Sequence, residues 1–210
     1  MRRYAPAILP LVFALISYGC SNPAENKPQA NVSAPQQEAA TTGATEHLKI
    51  TPENSKVEFV ASKVTRTHNG SFKQFSGTID LVPNSIENSK VTIDIDTNSV
   101  VTDDPGLTKH LMTPDFFDVA KFPKATFTST KIEAGNIQNA SHNVTGNFEL
   151  HGVKKSISFP ATIAVTPADV AVSTEFAINR KDFGLVYPGK ADDLIRDGVV
   201  LHLTVRVPRK

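Results

Sequence analysis

The stretch VTGNFELHGVKKSISFPATIAV (144–165) alternates apolar and polar side chains twice, with a break at His151-Gly152. Val144, Gly146, Phe148 and Leu150 fall on one side of an extended chain, and Thr145, Asn147 and Glu149 on the other. After the break, Ile157, Phe159, Ala161, Ile163 and Val165 form a second such face. A period of two is the mark of a strand with one face in a core and one in water. A His-Gly pair between two such runs marks a turn.

The same pattern extends in both directions. Towards the N-terminus it recurs at Val57–Ala61, Phe75–Leu81, Val91–Ile95 and Ala125–Ile132, and towards the C-terminus at Val172–Ile178 and Val199–Val207. That makes eight strands, separated by turn signals such as Pro83-Asn84-Ser85 and Pro167-Ala168-Asp169. Eight antiparallel strands with one apolar face each form a barrel or a sandwich. The expected fold is all-β: an eight-stranded antiparallel β-barrel with a short helical insert between strands three and four. A barrel of that size has an interior filled by side chains or occupied by one ligand. The inward phenylalanines lie among Ala61, Gly77, Ala125, Gly146 and Ala161, a mixture that fills a tapered core or lines a narrow tunnel.

The insert is LTKHLMTPDFFDVAKFPKATF (107–127), which concentrates Leu111, Met112, Phe116, Phe117, Val119, Phe122 and Phe127. Pro114 and Pro123 limit it to a short helix and a turn. Such a segment is a lid over an apolar interior or one more layer of core.

Residues 1–20 read as an export signal. Met1-Arg2-Arg3 supplies positive charge, Ile8–Ile16 an apolar run too short to span a bilayer, and Gly19-Cys20 the cleavage site. Cys20 is the single cysteine, so no intramolecular disulfide forms. Ser17-Tyr18-Gly19-Cys20 resembles the lipobox of bacterial lipoproteins, in which that cysteine is acylated. The alternative is ordinary signal cleavage that leaves a soluble periplasmic protein. By the same resemblance Ser21 directs a lipoprotein to the outer membrane. Residues 21–45 are rich in Ala, Asn, Gln, Pro and Thr and contain no aromatic residue, so a disordered tether is expected. Residues 46–210 form one domain.

Several chemistries lack support. Without Arg2 and Arg3 the chain has 20 basic and 21 acidic residues and no basic block, which gives no footing for nucleic acid. Asp182-Phe183-Gly184 has no accompanying kinase motifs, and no G-x-S-x-G occurs. The six histidines lack metal-site spacing, and no metal is expected. Arg180 shares parity with Val172, Phe176 and Ile178, which places it inward near a strand end. There it plugs the barrel mouth through a carbonyl or carboxylate contact, or bonds a polar ligand head.

Four stretches together resemble the YceI family of bacterial envelope proteins: TRTHNGSFKQFSGTIDL (65–81), KHLMTPDFFDVAKFPKATFTST (109–130), VTGNFELHGVKKSISFP (144–160) and INRKDFGL (178–185). The resemblance implies a lipocalin-like barrel that holds a long isoprenoid, a polyprenyl chain or a quinone tail, with no catalytic residue and no cofactor. It draws the lining from Phe59, Phe75, Ile79, Ile93, Phe127, Phe148, Phe159, Phe176 and Leu201, with Leu111, Met112, Phe116 and Phe117 closing around the ligand. Arg180 and His110 are the candidates at the mouth. Family members are often dimeric, so a homodimer belongs among the expected partners, beside the lipid and the membrane reached through Cys20. A structural or stress-response protein with a filled core, and a lipid-acting enzyme using Arg180, His110 and Asp103 or Asp104, stay open beside this reading.

Overall fold

The computed structural model describes residues 21–38 and 43–209; residues 1–20, the expected export signal ending at Cys20, lie outside the described residues. The strands are β1 (Asn31–Ser33), β2 (Glu46–Ile50), β3 (Ser55–Ser62), β4 (Thr67–Phe72), β5 (Phe75–Leu81), β6 (Lys90–Asp96), β7 (Val100–Thr102), β8 (Lys124–Ile137), β9 (Ala140–Leu150), β10 (Val153–Val165), β11 (Asp169–Asn179), β12 (Gly189–Lys190), β13 (Asp193–Leu194) and β14 (Gly198–Pro208). One α-helix among the described residues, α1 (Pro105–Leu111), opens the insert. One curled antiparallel sheet runs β2-β5-β6-β8-β9-β10-β11-β14-β3-β4-β7, and β12 and β13 form a separate hairpin. The curl makes a lipocalin-like barrel around one large apolar core. The end of the chain returns to β2, where Arg209 Nε donates to Glu46 Oε2 at 2.9 Å.

All eight expected strands are present, as β3, β5, β6, β8, β9, β10, β11 and β14. The count of eight is corrected upward by β1, β2, β4, β7 and the β12–β13 hairpin. β4 escapes a period-2 reading because two of its three inward residues, His68 and Gly70, are not apolar. Gly70 is nonetheless needed there, since a Cβ would come within 2.1 Å of the Phe59 ring lying across it. Gly146 stands under Phe127 in the same way, at 2.4 Å. Both are glycines roofed by a cross-strand aromatic.

The larger correction concerns residues 21–38. They are not a disordered tether but a strap along the outside of the barrel. β10 pairs with β11 only over Thr162–Val165, so the two strands part below Pro160, which brings no N–H to the ladder. The Thr174 hydroxyl bridges the parting by donating to the Pro160 carbonyl at 2.6 Å. The strap fills what remains. Asn31–Ser33 pair with Ser156–Ser158 of β10, Ala30 N donates to Ala177 O at 2.9 Å, and Ala177 N donates to Pro28 O at 2.7 Å. Ala30 and Val32 turn inward against the core. Ala24, 3 % exposed, covers an apolar stripe of Val60, Ala177 and Val200 on the outer face. Further on, Asn147 grips the strap at Gln36, accepting from its N–H at 2.8 Å and donating to its carbonyl at 2.7 Å.

Composition hid this because the strap has no core of its own. It is ordered by unpaired edge groups that only the folded barrel presents, and leaving those groups buried and unbonded would be costly. Ala24→Asp would bury a carboxylate against that apolar stripe. The expected result is release of the strap, with faster amide hydrogen exchange at Ala177 and Ser156–Ser158 and little change in β6 and β8.

Candidate functional site

The inward side chains do not meet in the middle of the barrel. They enclose a cavity of about 200 Å³ whose lining is apolar apart from Glu58, Thr174 and Arg180. One water needs only roughly 15 Å³, but a site without polar partners does not hold water well. Such a space is suited to hydrocarbon. Phe127 and Leu201 point inward yet remain only half-buried, because one side of each faces empty volume. Aromatic pairs give the wall rigidity: Phe159 stacks on Phe176 at 4.1 Å, Phe127 meets Phe159 at 5.7 Å, and Phe148 meets Phe183 edge-on at 5.1 Å.

Of the thirteen residues expected to line a ligand, Phe59, Ile79, Ile93, Leu111, Phe116, Phe117, Phe127, Phe148, Phe159, Phe176 and Leu201 border this cavity. Phe75 and Met112 do not: Phe75 is buried in the surrounding core, and Met112 packs half-exposed against it. The wall also includes Phe72, Leu185 and Ile195, which the sequence reading missed. Phe72 lies on the unrecognised β4, and Leu185 and Ile195 lie in the irregular segment before β14.

At one end the cavity adjoins a more polar vestibule, and the residues that border both spaces form the neck between them. Phe59, Ala61, Leu111, Phe116 and Ile195 border both spaces; His68, His110, Tyr187, Lys63 and Asp193 border the vestibule alone. The insert supplies one wall of the neck. Asp104 caps α1 by accepting from Gly106 N and Leu107 N, with Pro105 at the first helical position. The chain then turns back so that Phe117 N donates to Leu111 O at 3.0 Å, burying Leu111, Phe116 and Phe117 together. His110, Phe116 and Tyr187 form a three-ring cluster with centroids 5.0–5.4 Å apart.

The two mouth candidates separate. Arg180 is 3 % exposed and spent on the protein itself, its guanidinium donating to the carbonyls of Leu185, Arg196 and Ile195 and to Asp197. Burial pulls its pKa down while Asp197 opposes that. It fastens the loop between β11 and β14, which is the plug reading. His110 sits at the vestibule with Nε2 2.9 Å from Asp115, whereas Asp103 is engaged by His68. The trio of His110 with Asp103 or Asp104 and Arg180 is therefore not assembled. Among the described residues, no group of three or more His, Cys, Asp and Glu side chains is placed to hold a metal.

A model of the YceI-like domain matches residues 48–207. The chain belongs to the YceI family. It is 32 % identical over 132 residues to a UPF0312 protein of Pseudomonas fluorescens (strain SBW25), covering 60 % of this chain and 68 % of that one. A UPF0312 protein of Pseudomonas syringae pv. syringae (strain B728a) is 34 % identical over 126 residues, covering 57 % and 65 %. The match thus spans about two thirds of the length of these relatives. Among solved structures, the YCEI protein of Campylobacter jejuni is 30 % identical with a TM-score of 0.56, covering 67 % of this chain and 84 % of that one. A polyisoprenoid-binding domain from Saccharophagus degradans shares the fold at 19 % identity, with a TM-score of 0.61 and coverage of 78 % and 98 %. The family range excludes the strap, which lies wholly before residue 48.

The mouth of this YceI domain is held by carboxylates. The His68 hydrogen bond holds Asp103 below the usual carboxylate range, the Leu107 and Gly106 amides do the same for Asp104, and the Lys63 ammonium does so for Asp193. A depressed pKa adds stability above the unfolded value, about 3.9 for Asp, which is lost as pH falls through the folded value. These carboxylate contacts should therefore persist from neutral pH down to about 4 and weaken only below that. Amide chemical shifts at Asp193 and Leu194 would follow this, and Lys63→Met should bring part of the loosening to neutral pH.

Proposed function

We propose that this chain is a non-catalytic carrier that holds a long isoprenoid lipid, of the polyprenyl or quinone-tail type, in its barrel. It works in the periplasm, held by an acylated Cys20 to the outer membrane. The observation that carries the reading is the apolar cavity behind an aromatic neck. A protein whose Phe-rich insert merely completes a solid core would have no such space. The polyisoprenoid-binding domain from Saccharophagus degradans, which has this fold, supports the choice of ligand.

The energetics suit exchange rather than permanent capture. Burying roughly 100 Å² per isoprene unit is worth about 2.5 kcal/mol against water. In a bilayer the same tail is already dry, so membrane-to-barrel transfer is far closer to balance. The test is native mass spectrometry of the envelope-purified protein, with organic extraction of the same sample. A discrete added mass that extracts as a prenyl lipid is expected. A bare mass that persists after incubation with quinones and polyprenols would overturn the carrier reading.

A further inference from the structure

We infer that the vestibule rim is a membrane-docking surface, which sets the mouth of the barrel against a lipid bilayer. Among the described residues three large apolar side chains are exposed: Val64 at 50 %, Val186 at 63 % and Leu194 at 50 %. All three stand at one end of the molecule. Val64 N donates to Leu194 O at 3.0 Å, joining the β3–β4 turn to the β12–β13 hairpin. Val186 sits between Leu185, which lines the cavity, and Tyr187, which lines the vestibule. Scattered apolar residues on a surface need no explanation; gathered around an opening into an apolar cavity, they mark an interaction site.

The partner is a lipid surface rather than a protein because of where the strap begins. Ala24 packs against Val60, Ala177 and Val200, each within two residues of a strand end that frames the mouth. Cys20 is four residues further back, an extended reach of about 14 Å at most. A free 25-residue tether would let the barrel tumble, whereas the docked strap keeps its N-terminal end beside the rim. Any anchor on Cys20 therefore holds this end, and not the β10–β11 turn, nearest the membrane.

Most charge at the rim is paired, Lys63 with Asp193, Arg66 with Asp104 and Lys181 with Asp197, and the exposed Lys190 and Asp192 of the β12–β13 hairpin offset each other. Docking rests on apolar contact and should be nearly insensitive to salt. Asp192, exposed at the hairpin tip, keeps the rim at interfacial depth. The inference takes only the direction of traffic from the carrier reading; the contact itself does not need a cargo.

The chain contains no tryptophan, so a single one reports cleanly. Full chain, exported and purified from a bacterial envelope as processed there, would carry either Leu194→Trp at the rim or Ala168→Trp in the β10–β11 turn at the far end. Both are mixed with phosphatidylethanolamine–phosphatidylglycerol vesicles free of isoprenoid, with and without lipids brominated near the carbonyls. The Leu194→Trp emission should shift to the blue and be quenched by bromolipid at low and high salt, while Ala168→Trp stays unchanged even if both proteins are anchored. Adding Val64→Asp and Val186→Asp should abolish the shift. Equal responses from both reporters, no response at Leu194→Trp, or a shift that survives the two aspartates would overturn the assignment. Extraction of the same samples reads the carrier proposal separately: a docked rim without prenyl lipid rejects the cargo alone.

Discussion

Replacing Phe176 by alanine should cost about 3–5 kcal/mol, among the largest losses any single substitution in this barrel produces. Phe176 is 1 % exposed and stacks on Phe159 at 4.1 Å, with ring planes 9° apart. The pair spans the parting between β10 and β11, where backbone bonding is thinnest. Truncation there removes the ring and the contact that holds the two strands side by side. Its register partner on β14 is Leu201, which also points inward but keeps one side on the cavity. Leu201→Ala should cost nearer 2 kcal/mol, because part of its surface has no neighbour to lose. Urea unfolding of the ligand-free protein measures both. Equal losses would mean that the space is closed in solution and the core solid. Loading with isoprenoid should stabilise the parent, since a ligand that binds only the folded state adds stability by mass action.

Strands with one apolar face are legible because burial imposes period 2 on the sequence, and each of the eight read that way is a strand. Those that were missed lacked the signal for identifiable reasons. β4 turns His68 and Gly70 inward, and β1 borrows its partners from an edge that exists only after folding. The cavity was legible as a lining but not as a space: Phe159, Ala161 and Ile163 alternate identically over a hollow interior or a solid one. Arg180 shows the same limit. Parity placed it inward near a strand end, but the carbonyls of Leu185, Ile195 and Arg196 that occupy it come from a loop without period. Side chains facing a void differ from packed ones only in what is missing beside them, and one sequence does not encode an absence.

Ala61→Phe should remove lipid from the protein while leaving the fold in place. Ala61 borders both the cavity and the vestibule and is only half-buried, so its methyl already faces open volume in the neck. A phenyl group there extends into the passage rather than into packed atoms. Stability should change by less than about 1 kcal/mol, unlike a ring at the tightly buried Ala161, where overpacking costs about 1–3 kcal/mol. The lipid recovered per mole of protein should fall more than tenfold, equivalent to over about 1.4 kcal/mol of lost affinity. The thermal shift on adding isoprenoid should vanish with it. Parent-like lipid content would sink the neck as the route, and would send attention to the parting of β10 and β11 beneath the strap. There Ala30 and Val32 of the strap pack against the core from outside. The two routes differ in a second readout: Ala24→Asp, which frees the strap, should speed lipid exchange only if cargo leaves through the wall.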